Sequence, residues 1–291
     1  MKKLLITGAS GFLGSNLCQL AKQEWEVYGT YFSHPGEIPG TTMLKVDLRE
    51  FQELKRLFQE LKPAAVIHTA ALSSPNFCQN HPNESHSINV TASCNIAGLS
   101  ADYSIPCVFT STDLVFNGLN PPYRETDPVS PVNHYGEQKV MAESGMRSRY
   151  PMTAVCRMPL MFGIAPSTAT SFMQQFIQTL REGQELRLFT DEFRTPVSGK
   201  TAAFGLLLAL EKVQGLIHLG GKERVSRYDF GRYLVEVLQL PASGLKACRQ
   251  KDVKMAAPRP PDVSLDSSKA FALGYTPLSL REELEALRGK V

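Results

Sequence analysis

Tyr135 and Lys139 stand four residues apart in the run Tyr135-Gly136-Glu137-Gln138-Lys139, so a helix would carry both on one face. An ammonium beside a phenol favours the phenolate and lowers its pKa from a reference near ~10 toward working pH. Such a tyrosine can give or take a proton while a hydride moves. Upstream, an apolar run ends in Phe109-Thr110-Ser111-Thr112-Asp113. A hydroxyl from Ser111 or Thr112 would hydrogen-bond a reacting carbonyl oxygen, orienting it and stabilising its charge. Each piece alone is common chemistry: a Tyr-x-x-x-Lys face arises often by chance, and Ser-Thr after a strand is ordinary loop composition. Their weight comes from standing behind a third motif.

That motif is Thr7-Gly8-Ala9-Ser10-Gly11-Phe12-Leu13-Gly14, after the apolar Leu4-Leu5-Ile6 and before a helix-like stretch over 12–22. A strand ending in glycines that open a helix presents free N–H groups at the positive end of the helix dipole, a seat for a pyrophosphate. Gly8 permits the tight turn, Gly11 lets the backbone approach the phosphates, and Gly14 lets the helix pack on the sheet.

The elements that must position these groups alternate. Strands are expected at 26–31, 64–69, 106–111 and 153–157, and helices at 50–61, 83–101 and 135–150. The alternation predicts an α/β, Rossmann-like, doubly wound parallel sheet with ligands at the carboxyl ends of its strands. Beyond Arg157 the texture changes to loops and shorter elements: a helix at 171–181, a strand at 185–189, a βα rhythm over 201–238, a proline-rich ordered loop at 250–262 and a terminal helix at 279–287. The expected division is a dinucleotide-binding domain of residues 1–158 with 193–235, and a small discontinuous C-terminal substrate lobe of 159–192 with 236–291.

The chain has 291 residues, 43% of them hydrophobic, enough for a large core. Its 31 basic and 28 acidic residues are well mixed, which gives no electrostatic case for nucleic acid. No apolar run reaches membrane-span length, and the N-terminus lacks the pattern of a signal peptide. The six cysteines are scattered without metal-ligand spacing, so reduced thiols in the cytoplasm, and no metal, are expected.

The chain resembles the extended short-chain dehydrogenases/reductases along nearly its whole length, and most closely the dTDP-4-dehydrorhamnose reductase branch. The resemblance is carried by the glycine loop, Val46-Asp47-Leu48, His68-Thr69-Ala70-Ala71, Asn89-Val90, Ser111-Thr112-Asp113-Leu114-Val115-Phe116, Tyr135-Gly136 with Lys139, and the run from Arg259 to Lys269. It implies that Thr112, Tyr135 and Lys139 form the catalytic trio, with Ser111 next to it. It also implies that Asp47 and Leu48 border the adenine, that Ala70 and Ala71 with Thr69 line the cofactor, and that Arg157 and Pro159 lie beside the nicotinamide. Ser10, Phe12 and Leu13 belong to the phosphate loop. Plainer readings stand beside these: Asp47 as an N-cap for 50–61, Ala70 and Ala71 as core, and His68 as a packed core histidine.

Related sugar-nucleotide dehydratases carry Thr-Asp-Glu after this strand, where the acid takes part in elimination. Here the run is Thr112-Asp113-Leu114, and leucine cannot move a proton. The reductases usually have tyrosine there, so Leu114 departs from them too. The second strand ends Gly29-Thr30-Tyr31-Phe32-Ser33-His34 with no acid to bind a ribose 2′-OH and no arginine to grip a 2′-phosphate. A 2′-phosphate is therefore tolerated, with Ser10, Ser33 and His34 as candidate contacts; NADP(H) is preferred, with NAD(H) the alternative. The expected reaction is NADPH-dependent reduction of a 4-keto nucleotide-sugar, with Tyr135 as proton donor. An NAD-dependent epimerase and a non-catalytic regulatory subunit like that of methionine adenosyltransferase are the rivals. Arg194 and Arg259 are candidate substrate contacts or plain surface and loop-anchoring residues. Helices 83–101 and 135–150 are candidate faces of a homodimer.

Overall fold

A computed structural model describes all 291 residues. Seven parallel strands form one central sheet. The first six are β1 (Lys2–Thr7), β2 (Trp25–Tyr31), β3 (Thr41–Lys45), β4 (Ala65–His68), β5 (Cys107–Thr112) and β6 (Ala154–Met158); Gly215–His218 closes the far edge. The spatial order is Gly215–His218, β6, β5, β4, β1, β2, β3. The order reverses between β1 and β4, the switch point at which open α/β sheets bind ligands. β4, β5 and β6 are buried along their whole length, as a sheet covered on both faces requires. Phe12–Ala21 (α1) and Gly199–Lys212 cover one face of the sheet, packed against Leu4, Ile6, Ile67 and Val108. Phe51–Leu61 (α2), Ser93–Asp102 and His134–Arg149 cover the other, against Leu5, Val66, Phe109 and Val155.

The expected helix at 83–101 is a composite. Pro82–His86 runs into a π-helical turn, Ser87–Ala92, and then into Ser93–Asp102. The wide turn marks a functional region more often than an ordinary helix turn does. Here its buried Asn89 accepts from Leu72 N–H at 2.9 Å and donates to Leu72 O at 3.1 Å and Gln138 Oε1 at 2.9 Å. It therefore ties the loop after β4 to helix His134–Arg149. β3 is an edge strand whose Thr-Thr-Met-Leu-Lys run has little alternation, which is why sequence reading passed over it.

A second apolar cluster holds Phe162, Met173, Ile177, Leu188, Phe230, Leu234 and Leu284 together. It draws side chains from both sides of the expected boundaries. Helix Arg227–Leu238, assigned up to residue 235 to the dinucleotide side, packs through Phe230 and Leu234 into the smaller cluster. Phe193–Arg194 pairs with Val225–Ser226 outside the main sheet. Only the middle of 193–235, helix Gly199–Lys212 and strand Gly215–His218, packs with the sheet core. The apolar side chains that decide this are spread over five separate segments, so composition along the chain could not reveal it. No helix is long and apolar enough to cross a membrane.

Candidate active site

β1 stops at Thr7 because the chain must turn. Gly8 takes φ +68°, and a Cβ there would lie 2.7 Å from Ala70 Cα. Gly14 is tighter: its Cβ would meet the Gly8 carbonyl oxygen at 2.2 Å, so α1 packs backbone to backbone on the loop. Gly11 is the helix N-cap and no side chain caps it, leaving the first-turn amides open toward the cavity. That cavity, of about 520 Å³, runs along the carboxyl ends of β1, β2, β4 and β5. It is lined by Gly8, Ser10, Gly11, Phe12, Leu13, Gly14, Asp47, Leu48, Thr69, Ala70, Ala71, Ser111, Tyr135 and Lys139. Thr112, Arg157 and Arg194 do not line it. A glycine-floored anion seat at one end, apolar walls and a buried Tyr–Lys pair at the other fit a nicotinamide dinucleotide.

Helix His134–Arg149 begins at a real cap, with Asn133 Oδ1 accepting from Gly136 N–H at 2.9 Å. Asn133 Nδ2 also donates to Pro258 O, which brings the C-terminal run to the site. Gly136 has a steric reason to be glycine: a Cβ would lie 2.3 Å from Leu114 O. The helix thus seats directly on the turn Asp113–Val115, setting Tyr135 beside Thr112. Thr112 caps that turn, accepting from Leu114 N–H at 3.2 Å and donating to Asp113 Oδ1 at 3.2 Å.

Electrostatics correct one expectation. Burial, followed by the nearby Cys78 and Asp113, raises the Tyr135 pKa above the ordinary phenol range, and only Thr112 opposes it. Lys139 Nζ donates to Thr110 O at 2.9 Å and lies over the Tyr135 ring at 5.9 Å from its centre, and burial of the phenol outweighs it. Burial brings Lys139 down to about 8, against the pull of Glu143. With no ligand bound, Tyr135 is thus a protonated phenol rather than an activated phenolate.

Behind the cavity lies a polar network that the sequence did not disclose. Ser111 Oγ donates to Glu143 Oε1. Arg157 Nε and Nη2 grip the same carboxylate at 3.0 and 2.8 Å, both partners being buried. Both hydroxyls considered for the carbonyl are therefore engaged in the ligand-free protein, Ser111 by Glu143 and Thr112 by Asp113. Arg157, expected beside the nicotinamide, points away from the cavity; Met158, the next residue of β6, lines it instead. Successive strand residues face opposite sides, and the expectation fell one residue out of phase.

Arg194 is neither a surface arginine nor a free ligand. It is buried between Asp113 (3.3 Å) and Glu192 (3.4 Å). Desolvation raises Asp113 to about 6 despite that arginine. Arg259 anchors its loop through Ala257 O and Asn76 Oδ1, both at 3.1 Å. His68 is the expected core histidine, its ring nitrogens 2.6 Å from Thr7 Oγ1 and 2.9 Å from Ser93 Oγ; burial holds its pKa down at about 3. Asp47 does not cap α2, whose N-cap is Glu50 without a side-chain bond. Its carboxylate is taken by Arg49, at 2.6 Å from Nη2 to Oδ2, which lowers the Asp47 pKa. Arg49 and Phe32 line the cavity, as do Thr170, Ser171 and Phe172 of the C-terminal part. None of these five was foreseen as a contact; the one legible signal was a charged residue two positions after Asp47.

Fold and site together define an extended short-chain dehydrogenase/reductase, a class of NAD(P)-dependent oxidoreductases. The chain belongs to the RmlD substrate binding domain family, whose model matches residues 1–290. It is 30% identical over 282 residues to methionine adenosyltransferase 2 subunit beta of Xenopus laevis, covering 94% of this chain and 83% of that one. Among solved structures it is similar to a hypothetical dTDP-4-dehydrorhamnose reductase from Sulfolobus tokodaii, at 31% identity and a TM-score of 0.84, covering 96% of this chain and 98% of that one. It also shares the fold of dTDP-4-dehydrorhamnose reductase from Bacillus anthracis, solved in complex with NADP, at 21% identity and a TM-score of 0.88 with 98% of each chain covered.

Proposed function

We propose that this chain is an NADPH-dependent reductase of a 4-keto nucleotide-sugar. The observation that carries the reading is Tyr135: a buried, protonated phenol beside the Thr112 hydroxyl, at the end of a cavity floored by a glycine-rich helix N-terminus. The dinucleotide, when bound, supplies the hydride. Thr112, outside the dinucleotide cavity but beside Tyr135, orients the substrate carbonyl once its hydroxyl turns from Asp113, and Tyr135 gives its proton to the oxygen as negative charge develops there. A raised phenol pKa suits this direction, because the alkoxide being protonated is more basic still. Lys139, fixed to the Thr110 carbonyl, holds positive charge at the base of the site. Leu114 leaves the elimination chemistry of a dehydratase without its acid.

An anionic substrate is supported by a set of arginines beyond Thr112. Arg194 and Glu192 lie close enough to Arg227 and Arg259 to influence the ionisation of both. Arg227 stacks on Phe172 at 4.4 Å, and its buried Nη1 has no partner. A diphosphate would take up such a guanidinium. We assign this region, with the smaller apolar cluster, to the substrate.

The similarity to methionine adenosyltransferase 2 subunit beta supports a second reading, a dinucleotide-binding regulatory subunit. One experiment decides between them. NADPH binding is followed by fluorescence, and turnover is assayed against a panel of keto nucleotide-sugars, for wild type and Tyr135→Phe. A reductase retains NADPH affinity in the variant and loses about 10²–10⁴-fold in kcat. Wild type that binds NADPH but reduces nothing in the panel supports the regulatory reading.

A further inference from the structure

The turn after β3 carries a second feature of the cavity, at the end opposite Tyr135. β2 and β3 pair in parallel as far as Tyr31↔Lys45, so the residues that follow both strands leave the sheet side by side. Phe32 and Ser33 from one, and Asp47 and Arg49 from the other, all line the cavity. Arg49 is held rather than loose. Its Nε donates to both Asp47 oxygens at 2.9 and 3.1 Å, its Nη2 donates to Oδ2 at 2.6 Å, and its own N–H donates to Oδ1 at 3.0 Å. The guanidinium centre lies 5.0 Å from the Phe32 ring centre. Nη1 has no protein partner, and the side chain is 37% exposed.

From this geometry we propose that Arg49 is the residue that reads the 2′ position of the adenine ribose, binding a 2′-phosphate. The assignment rests on the dinucleotide reading above and extends it to the one specificity question that β2 leaves open. Selection for a plain ribose needs a free carboxylate to accept the 2′-OH. Asp47 is the nearest acid, and Arg49 occupies both of its oxygens. The pair presents to the cavity a guanidinium edge whose donors are fixed in advance. A phosphate dianion gains from that fork in both charge and hydrogen bonding, whereas a hydroxyl gains little. Fixing the side chain before binding also removes part of the ordering cost that a free surface arginine would incur. Phe32 shields one face of the guanidinium from water, which strengthens the attraction.

The test is a set of fluorescence titrations with NADPH and NADH, with 2′,5′-ADP and 5′-AMP as competitors, on wild type and Arg49→Ala. Charge-assisted hydrogen bonds of about 1.5–3 kcal/mol correspond to roughly a 10- to 100-fold preference. Wild type should prefer NADPH and 2′,5′-ADP by that factor. Arg49→Ala should lose most of the preference while its NADH affinity stays within about threefold of wild type. Arg49→Lys, which keeps the charge without the fork, should fall between them. An Arg49→Ala protein that keeps its NADPH preference, or that loses NADPH and NADH affinity equally, overturns the assignment while leaving the dinucleotide reading intact. Wild type that binds neither dinucleotide overturns both.

Discussion

Gly14→Ala and Gly11→Ala separate the two jobs of the glycine loop. At residue 14 a Cβ would lie 2.2 Å from Gly8 O, 2.7 Å from Ala9 Cα and 2.8 Å from Gly8 C. All three are backbone atoms, so no rotamer relieves the clash. α1 would have to retreat by about 1 Å to reach ordinary van der Waals distance. The retreat loosens Leu13, Leu17 and Cys18, which α1 buries against the sheet. Overpacking of this kind costs about 1–3 kcal/mol, and a clash between backbone atoms belongs at the upper end. At roughly 2–4 °C per kcal/mol for a chain near this size, the ligand-free protein should melt about 5–10 °C lower. At residue 11 a Cβ would meet only Gly8 O, at 3.2 Å, and the N-cap φ of −79° is open to any residue. Gly11→Ala should therefore cost under about 1 kcal/mol of stability. Its methyl, however, would stand on the face of the loop that lines the cavity, where a pyrophosphate must approach. Losing even one charge-assisted N–H contact, about 1.5–3 kcal/mol, weakens NADPH binding at least tenfold. Thermal melts of the ligand-free variants, followed by NADPH titration, read both effects. The reasoning is refuted if Gly11→Ala melts as low as Gly14→Ala, or if Gly11→Ala binds NADPH like wild type.

Two further outcomes follow from the buried charges. Glu143→Gln leaves Arg157 an unpaired buried cation, at a cost of about 3–5 kcal/mol, and removes the carboxylate that holds the Lys139 pKa up. Lys139 should then titrate below its value of about 8, moving the alkaline limb of the pH–rate profile to lower pH; an unmoved limb in a folded variant contradicts this. His68, with a folded pKa of about 3 against an ordinary 6.5, refuses a proton that the unfolded chain accepts between those values. Stability should accordingly fall as pH drops below 6.5, by about 1.4 kcal/mol per pH unit from this group. His218, held at about 4, adds to the loss, whereas Asp113, raised to about 6, opposes it between pH 4 and 6. The His68 share is isolated by urea melts at pH 7 and pH 5 on wild type and His68→Gln, the variant showing the flatter dependence. Equal slopes would show that His68 is protonated in the folded state.

The strands of the central sheet were legible because burial on both faces forces apolar runs, as in Leu4–Ile6 and Ala65–Ile67. The glycine loop and the Tyr135–Lys139 helix face were legible because their constraints are local: a positive φ, a close approach, an i,i+4 spacing. What escaped was set by tertiary placement. Arg49 reaches the cavity because β3 pairs beside β2, and β3 itself carries too weak a pattern to be seen. Arg157 is a charged residue in a buried strand, and the sequence alone does not say that Glu143, on another element, neutralises it. The division of 193–235 between two apolar clusters depended on Phe230 and Leu234 finding Met173 and Leu188, a contact between separate segments.

The same distinction explains why the expected activation of Tyr135 by Lys139 fails in the ligand-free protein. Sequence spacing puts the two on one helix face, and in open water that alone would lower the phenol pKa. Both side chains are instead buried, and desolvation penalises each charged form, raising the phenol and lowering the ammonium. The charge that survives depends on partners from elsewhere: Glu143 raises Lys139, and Arg157 fixes Glu143. A helix i,i+4 motif therefore reports which groups face the substrate. Their protonation is set first by burial, and that of Lys139 is tuned one layer deeper by Glu143, held in an ion pair between β6 and helix His134–Arg149 that never touches the cavity.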